Sequence, residues 1–255
     1  MKAEIYEAIT KKKEFSQLPK KDVEIAYSSF EKRQTSEEEK IRLTRGLLHK
    51  VFGAFLSRKL LSPKNKSFEW ILKKHLSTRE RLEFYPEIYS RILKELGKKI
   101  SVIDLGAGVN GFSYNFFRKN GFEVNYFGVE AIGQLVELTN DYFKREKIKG
   151  RMFHYDLFDI GEVKKIIKQA EKPKVIFLFK VIDSLEMLDK DFSKKLISEI
   201  SPLADRIAVS FATESLIKRK KFHAKRTWFL EFLKENYSII DNFESGRERY
   251  IVFRK

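Results

Sequence analysis

The chain has no cysteine among its 255 residues. That excludes disulfides, thiolate zinc sites, iron–sulfur clusters and a cysteine nucleophile. It also lacks any apolar run near 18 residues, so no helical membrane span is expected. The opening "MKAEIYEAITKKKEF" has neither an apolar h-region nor a small-residue cleavage pattern, and it does not read as a signal peptide. The expectation is a soluble, cytoplasmic protein. Internal repeats and low-complexity linkers are absent too. Acidic residues are in deficit, with 36 Asp and Glu against 52 Lys and Arg and a net charge of +16. An excess of this size points to a polyanionic partner, because each phosphate neutralised releases condensed counterions.

What is present divides the chain in two. Residues 1–95 show apolar residues at three- and four-residue spacing with charges between them, as in "VEIAYSSFEKRQTSEEEKIRLTRGLLHKVFGAFLSRKLL". "TSEEEK" at 35–40 predicts a helix start, with a Thr or Ser cap and glutamates in the first turn. Residues 1–75 hold 18 Lys and Arg against 10 Asp and Glu, about +8, so a basic helical domain is expected over 1–95. From 96 to 255 short β-rich runs alternate with helical ones. Strands are predicted at 100–105, 123–130, 150–156, 174–180, 206–211, 237–243 and 249–254. Such alternation implies an α/β fold with a mostly parallel sheet and helices on both faces. The last two runs are joined only by "ESGRE", too short for a crossover, so they should form a hairpin with one edge strand antiparallel. A Rossmann-like parallel sheet with an antiparallel C-terminal hairpin resembles the class I S-adenosylmethionine-dependent methyltransferase fold.

The stretch "VIDLGAGVNGF" (102–112) reads as strand, tight glycine turn and helix, the geometry that lets backbone approach a cofactor. Gly106-x-Gly108-x-x-Gly111 fits the dinucleotide fingerprint as well, so spacing alone does not choose the cofactor. Asp104 in Asp-Leu-Gly-Ala-Gly resembles the Asp/Glu-x-Gly-x-Gly motif of class I methyltransferases, which favours S-adenosylmethionine. Glu130 ends the next predicted strand, where a carboxylate can accept bonds from both ribose hydroxyls. Asp156 ends the third and is a candidate acceptor for the adenine amino group, with Leu157 beside it and Asp159 nearby as a turn aspartate.

Five segments carry a closer resemblance. They are "LLHKVFGAF" (47–55), "ILKKHLSTRERL" (71–82), "VIDLGAGVN" (102–110), and the strand ends "VIFLFKVIDSLE" (175–186) and "IAVSFATESL" (207–216). Together they resemble the aminoglycoside-resistance 16S ribosomal RNA methyltransferases of the Arm/Rmt group, over most of the chain from about residue 45. The resemblance implies methylation of guanine N7 in the decoding region of 16S rRNA in assembled small subunits. It implies a cofactor site drawing on His75, Thr78, Arg81, Asp104, Gly106, Ala107, Gly108, Asn110, Glu130, Asp156, Leu157 and Lys180. Arg81 would take the methionine carboxylate, since a guanidinium fork suits it. Thr78 and Glu80 would help hold that segment, with helix capping as one means. The chain departs from the family where Lys-x-x-Pro becomes Lys180-Val-Ile-Asp183 and Ser-Phe-Pro becomes Ser210-Phe211-Ala212. These departures leave the target base and any drug resistance open.

N7 carries no proton, so its methylation needs positioning rather than a general base. Lys180, Phe179 and Phe211 are the candidates for that work, with Trp228 a further stacking candidate. Six of the nine residues from Lys218 to Arg226 are Lys or Arg, and Lys218, Arg219, Lys220, Lys221, Lys225 and Arg226 are expected to clamp RNA backbone. No metal site is expected, and a monomer is. The rival readings are another RNA or ring position, such as adenine N1, and a non-catalytic ribosome-binding factor.

Overall fold

The computed structural model describes residues 1–54, 56–61, 66–213 and 226–255. The first third is helical, as the spacing predicts: α1 (Ala3–Thr10), α2 (Lys20–Glu31), α3 (Glu37–Leu48), α4 (Phe68–Lys74), α5 (Leu76–Arg81) and α6 (Tyr85–Leu93). A single π-helical turn, His49–Gly53, extends α3. Ser36 caps α3, its hydroxyl accepting the Glu39 amide at 3.2 Å, and three glutamates fill the first turn. Pro19 immediately precedes α2, and Pro86 sits in the first turn of α6, where its missing N–H costs nothing.

The remainder alternates: β1 (Lys99–Leu105), α7 (Tyr114–Lys119), β2 (Glu123–Glu130), α8 (Gly133–Arg145), β3 (Gly150–His154), α9 (Ile160–Gln169), β4 (Lys174–Phe179), α10 (Ile182–Leu188), α11 (Phe192–Ile200), β5 (Arg206–Ala212), α12 (Thr227–Asn236), β6 (Ser238–Ser245) and β7 (Glu248–Arg254). The sheet order is β3-β2-β1-β4-β5-β7-β6. The first five strands pair in parallel, and β7 runs antiparallel to both β5 and β6. The fold class is therefore as expected, with one correction: the reversed strand is not at the edge. β7 lies inside, between β5 and β6. The reason is in the side chains. Tyr250, Ile251, Val252 and Phe253 are all buried, as a strand covered on both faces requires, whereas β6 carries Asp241, Asn242 and Glu244 and tolerates an edge.

Strand order reverses between β1 and β4, and at such a switch point the carboxyl ends of the strands leave a crevice. The N-terminal helices close over that end. Lys21 Nζ donates to the Phe158 carbonyl at 2.9 Å, the His154 ring bonds the Gln17 carbonyl at 2.7 Å, and Gln134 donates to the Lys13 carbonyl at 3.0 Å. One hydrophobic core runs without a break from Ile5 to Phe253. Its centre is aromatic: Tyr89 stacks on Phe117 at 3.8 Å between ring centroids, and Phe177 on Phe179 at 4.5 Å. Among the described residues no helix is long and apolar enough to cross a membrane.

Candidate functional site

The crevice holds a cavity of about 870 Å³, a volume that includes the open solvent at its mouth. Its floor is the turn after β1. Gly106 and Gly108 have φ of +73° and +53°, which L side chains rarely adopt. A Cβ on Gly106 would lie 2.6 Å from Val181 Cγ2, and one on Gly108 would lie 3.1 Å from His75 Nε2. The glycines thus meet both demands at once, backbone conformation and close approach.

Glu130, at the end of β2, clamps the loop. Its carboxylate accepts the Gly108 amide at 2.7 Å and the Ile132 amide at 2.9 Å. Burial raises its pKa, and the amide bonds oppose that rise. Asp104 lies deeper. It accepts from Asn110 Nδ2 at 2.7 Å and Tyr126 at 2.5 Å, and burial raises its pKa against those bonds.

Opposite the loop stands a buried chain of charge. Arg81, 3% exposed, donates from Nε to Glu248 at 3.2 Å, from Nη1 to Asn110 Oδ1 at 3.1 Å and from Nη2 to the Ser77 hydroxyl. Burial is the largest influence and opposes its charge, but Glu248, followed by Tyr85, Tyr250 and Tyr89, together hold its pKa above the ordinary value. Glu248, 1% exposed, also meets Lys180 Nζ at 3.3 Å and accepts from the Ser210 hydroxyl. Lys180 completes the chain by donating to Glu80 at 2.5 Å. Its φ of +59° costs on the order of 1–3 kcal/mol, and its amide is held by the Ser210 carbonyl and hydroxyl, each at 3.1 Å. Burial first, then Arg81 and Lys180, pulls His75 down to about 3, so its ring is neutral near pH 7.

A family model described as "Ribosomal RNA methyltransferase (FmrO)" matches residues 64–235. The chain belongs to the FmrO family of ribosomal RNA methyltransferases. It is similar over 99% of its length, at 23% identity, to a 16S rRNA (guanine(1405)-N(7))-methyltransferase from Micromonospora rosea, covering 96% of that protein. A protein of the same description from Proteus mirabilis matches at 36% identity over 67 residues, 26% of this chain and 24% of that one. The crystal structure of the 16S rRNA methyltransferase RmtF in complex with S-adenosyl-L-homocysteine superposes over all of both chains, with a TM-score of 0.77 and 22% identity, and so shares the fold.

In this FmrO-family chain the cavity gathers most of the residues singled out from sequence. His75, Thr78, Arg81, Asp104, Gly106, Ala107, Gly108, Asn110, Glu130, Leu157, Phe179 and Lys180 all line it. Asp156 does not; its Oδ1 accepts the Asp159 amide at 2.8 Å. Thr78 and Glu80 hold their segment without capping α5. The Thr78 hydroxyl turns back to the Leu72 carbonyl at 2.7 Å, and Glu80 takes Lys180. Phe211 packs away from the cavity, edge-on to Phe229 at 5.4 Å and beneath the Arg226 guanidinium at 4.7 Å. Arg226 is paired with Asp183 at 2.6 Å, and Trp228 lies edge-on to Phe229 at 5.4 Å. Lys218, Arg219, Lys220, Lys221 and Lys225 lie outside the described residues.

The sequence reading missed several lining residues. Ala131 and Ile132 follow Glu130, Phe158 follows Leu157, and Leu185 and Leu188 form one helical stripe after β4, so local signals existed. Phe52, Ser77 and Asp22 also face the cavity, and Glu248 stands behind it. Nothing local announces Asp22 or Glu248.

Proposed function

We propose that this protein transfers a methyl group from S-adenosylmethionine to N7 of a guanine in the decoding region of 16S rRNA within the small ribosomal subunit. The observation that carries the reading is one cavity bounded by the two-glycine loop on one side and the braced Arg81 guanidinium on the other. The residues present fit this cofactor. Gly106 and Gly108 present bare backbone to the cavity, which a ligand can approach closely. Arg81 uses three of its five N–H groups on Glu248, Asn110 and Ser77, and the remaining two suit the amino-acid carboxylate. Glu130 keeps lone pairs for the ribose hydroxyls beyond the two amides it accepts. His75 and Thr78 shape the wall, Asp104 and Asn110 fix the loop, and Ile132 and Leu157 flank the far end.

S-adenosylmethionine, when bound, supplies an electrophilic methyl group on a sulfonium. Guanine N7 presents a lone pair and no proton, so the protein's part is positioning. His75, at about 3, is poorly suited to act as a base, and Lys180 is committed to Glu80 and Glu248. Phe179 is an aromatic ring in the cavity wall, with the Arg81 Cζ 5.0 Å from its centroid, and is the candidate surface for a flipped base. The full-length likeness to a guanine-N7 methyltransferase supports the choice of base. N7 lies on the deep, narrow major-groove edge of A-form RNA, so the base is reached flipped or in distorted RNA. Residues 1–95 then form the basic docking layer and lend His75, Thr78 and Arg81 to the cavity, and 96–255 carry the rest of the transfer machinery. The segment from Lys218 to Lys225 clamps phosphates, and the protein works in the cytoplasm as a monomer.

The test incubates purified small subunits with labelled S-adenosylmethionine and this protein, followed by nucleoside analysis and mapping. The expected product is 7-methylguanine in the decoding region, with raised aminoglycoside tolerance in cells expressing the protein. Label in 1-methyladenine, or none in the subunit, overturns the proposal.

A further inference from the structure

Asp22 sits in the first turn of α2, 2% exposed, and lines the cavity. Its Oδ2 is buried and has no hydrogen-bond partner among the described residues. A buried carboxylate oxygen without a partner is costly to the fold, so its retention calls for a ligand to satisfy it. The surroundings sharpen the point. After burial itself, Asp156 and then Glu130 push its pKa well above the ordinary value. Lys21 works in the other direction, but its ammonium is bonded to the Phe158 carbonyl. Among the described residues no three His, Asp or Glu side chains stand as a metal would need. A hydrogen-bond donor on an organic ligand would satisfy this oxygen and hold the carboxylate in its charged form against the burial that opposes it.

Position says which donor. Lys21 and Gln17 fasten this part of the chain to Phe158 and His154, at the loop that follows β3. That is the end of the cavity walled by Ile132 and Leu135 at the start of α8 and by Leu157 and Phe158 from the loop after β3. Arg81, the carboxylate partner in the reading above, belongs to the opposite wall. Asp156 has one oxygen taken by the Asp159 amide and lies outside the lining, so α2 supplies the acceptor that faces this end.

We propose that Asp22 accepts a hydrogen bond from the exocyclic amine of the cofactor's adenine. The N-terminal helical layer thereby reads the base of the cofactor as well as carrying the basic surface. This rests on the S-adenosylmethionine reading of the site.

The test measures binding of S-adenosylhomocysteine and S-inosylhomocysteine to the full chain by calorimetry. The inosine compound replaces the amine with a carbonyl and places a donor on the adjacent ring nitrogen. Wild type is expected to bind S-adenosylhomocysteine at least about tenfold more tightly than the inosine compound, because a carboxylate faces an acceptor in the second case. Asp22→Asn, of the same shape but carrying a donor, is expected to shrink that ratio at least about tenfold. A variant that keeps the wild-type ratio overturns the proposal, whatever its stability. So does a wild type that binds both compounds equally, a measurement needing no variant. A wild type that binds neither overturns the cofactor reading itself.

Discussion

Replacing Glu248 with alanine removes the carboxylate that stands between two buried cations, 3.2 Å from Arg81 Nε and 3.3 Å from Lys180 Nζ. At an effective dielectric near 20, each contact is worth about 5 kcal/mol of Coulomb attraction. Withdrawing the carboxylate from water offsets several kcal/mol of that. Lys180 keeps Glu80 at 2.5 Å, so the uncompensated charge falls mainly on Arg81. The expected net loss is about 3–5 kcal/mol, the usual cost of stripping one partner from a buried pair. For a chain of this length that corresponds to a fall in Tm of roughly 10 °C. Affinity for S-adenosylhomocysteine should drop at least about tenfold, because the fork is no longer aimed. Glu248→Gln keeps the oxygen acceptor but not the charge, and should fall between. The double variant Arg81→Met with Glu248→Leu should regain most of the stability and none of the binding, which separates fold from site. Thermal melts and calorimetry read both quantities. A Glu248→Ala protein melting within about 2 °C of wild type, with unchanged affinity, would refute the reasoning.

Three further outcomes are expected. Gly108→Ala forces φ of +53° on a residue whose new Cβ sits 3.1 Å from His75 Nε2; it should cost about 1–2 kcal/mol and weaken S-adenosylhomocysteine binding, and a wild-type melt and affinity would contradict this. His75 is lowered to about 3 when folded, below its ordinary value of about 6.5, so the stability it lends is full above that value and drains as pH falls towards 3. His75→Gln should therefore flatten the loss of Tm between pH 6.5 and pH 4, and an unchanged acid slope would show that the ring charges freely. Neutralising Lys218, Arg219, Lys220 and Lys221 together should weaken subunit binding and reduce the slope of log affinity against log salt by up to about 3, with an unaltered slope showing that the segment does not touch phosphate.

Residues whose role is local were legible. The loop from Asp104 to Asn110 and the strand-end Glu130 are set by contiguous sequence, since a glycine turn after a strand admits few geometries. "STRER" has the spacing of a capping box, but Thr78 turns its hydroxyl back to Leu72 because the chain bends there between α4 and α5. Phe211 and Trp228 show the limit of residue type: an aromatic ring does not declare which face of its strand or helix meets the cavity. β7 was misplaced because hairpin length fixes direction and not which partner lies inside. The unbroken Tyr250–Phe253 run carried that second piece of information. Asp22 and Glu248 lie far along the chain from the rest of the cavity they serve, and only tertiary packing brings them to it.

The long reach from Arg81 to Glu248 also sets an order in time. The counter-ion is 167 residues further along the chain than the cation it neutralises. While the chain grows, the glycine loop and Arg81 exist before β7 does, and until that strand has been threaded between β5 and β6 the guanidinium has no reason to stay buried. A half-made chain thus carries the parts of a cofactor pocket without the electrostatics that close it. Competence to bind arrives with β7, when synthesis has already passed the segments proposed to dock on RNA. A protein whose proposed target is the ribosomal small subunit therefore emerges from a ribosome still unfinished as an enzyme.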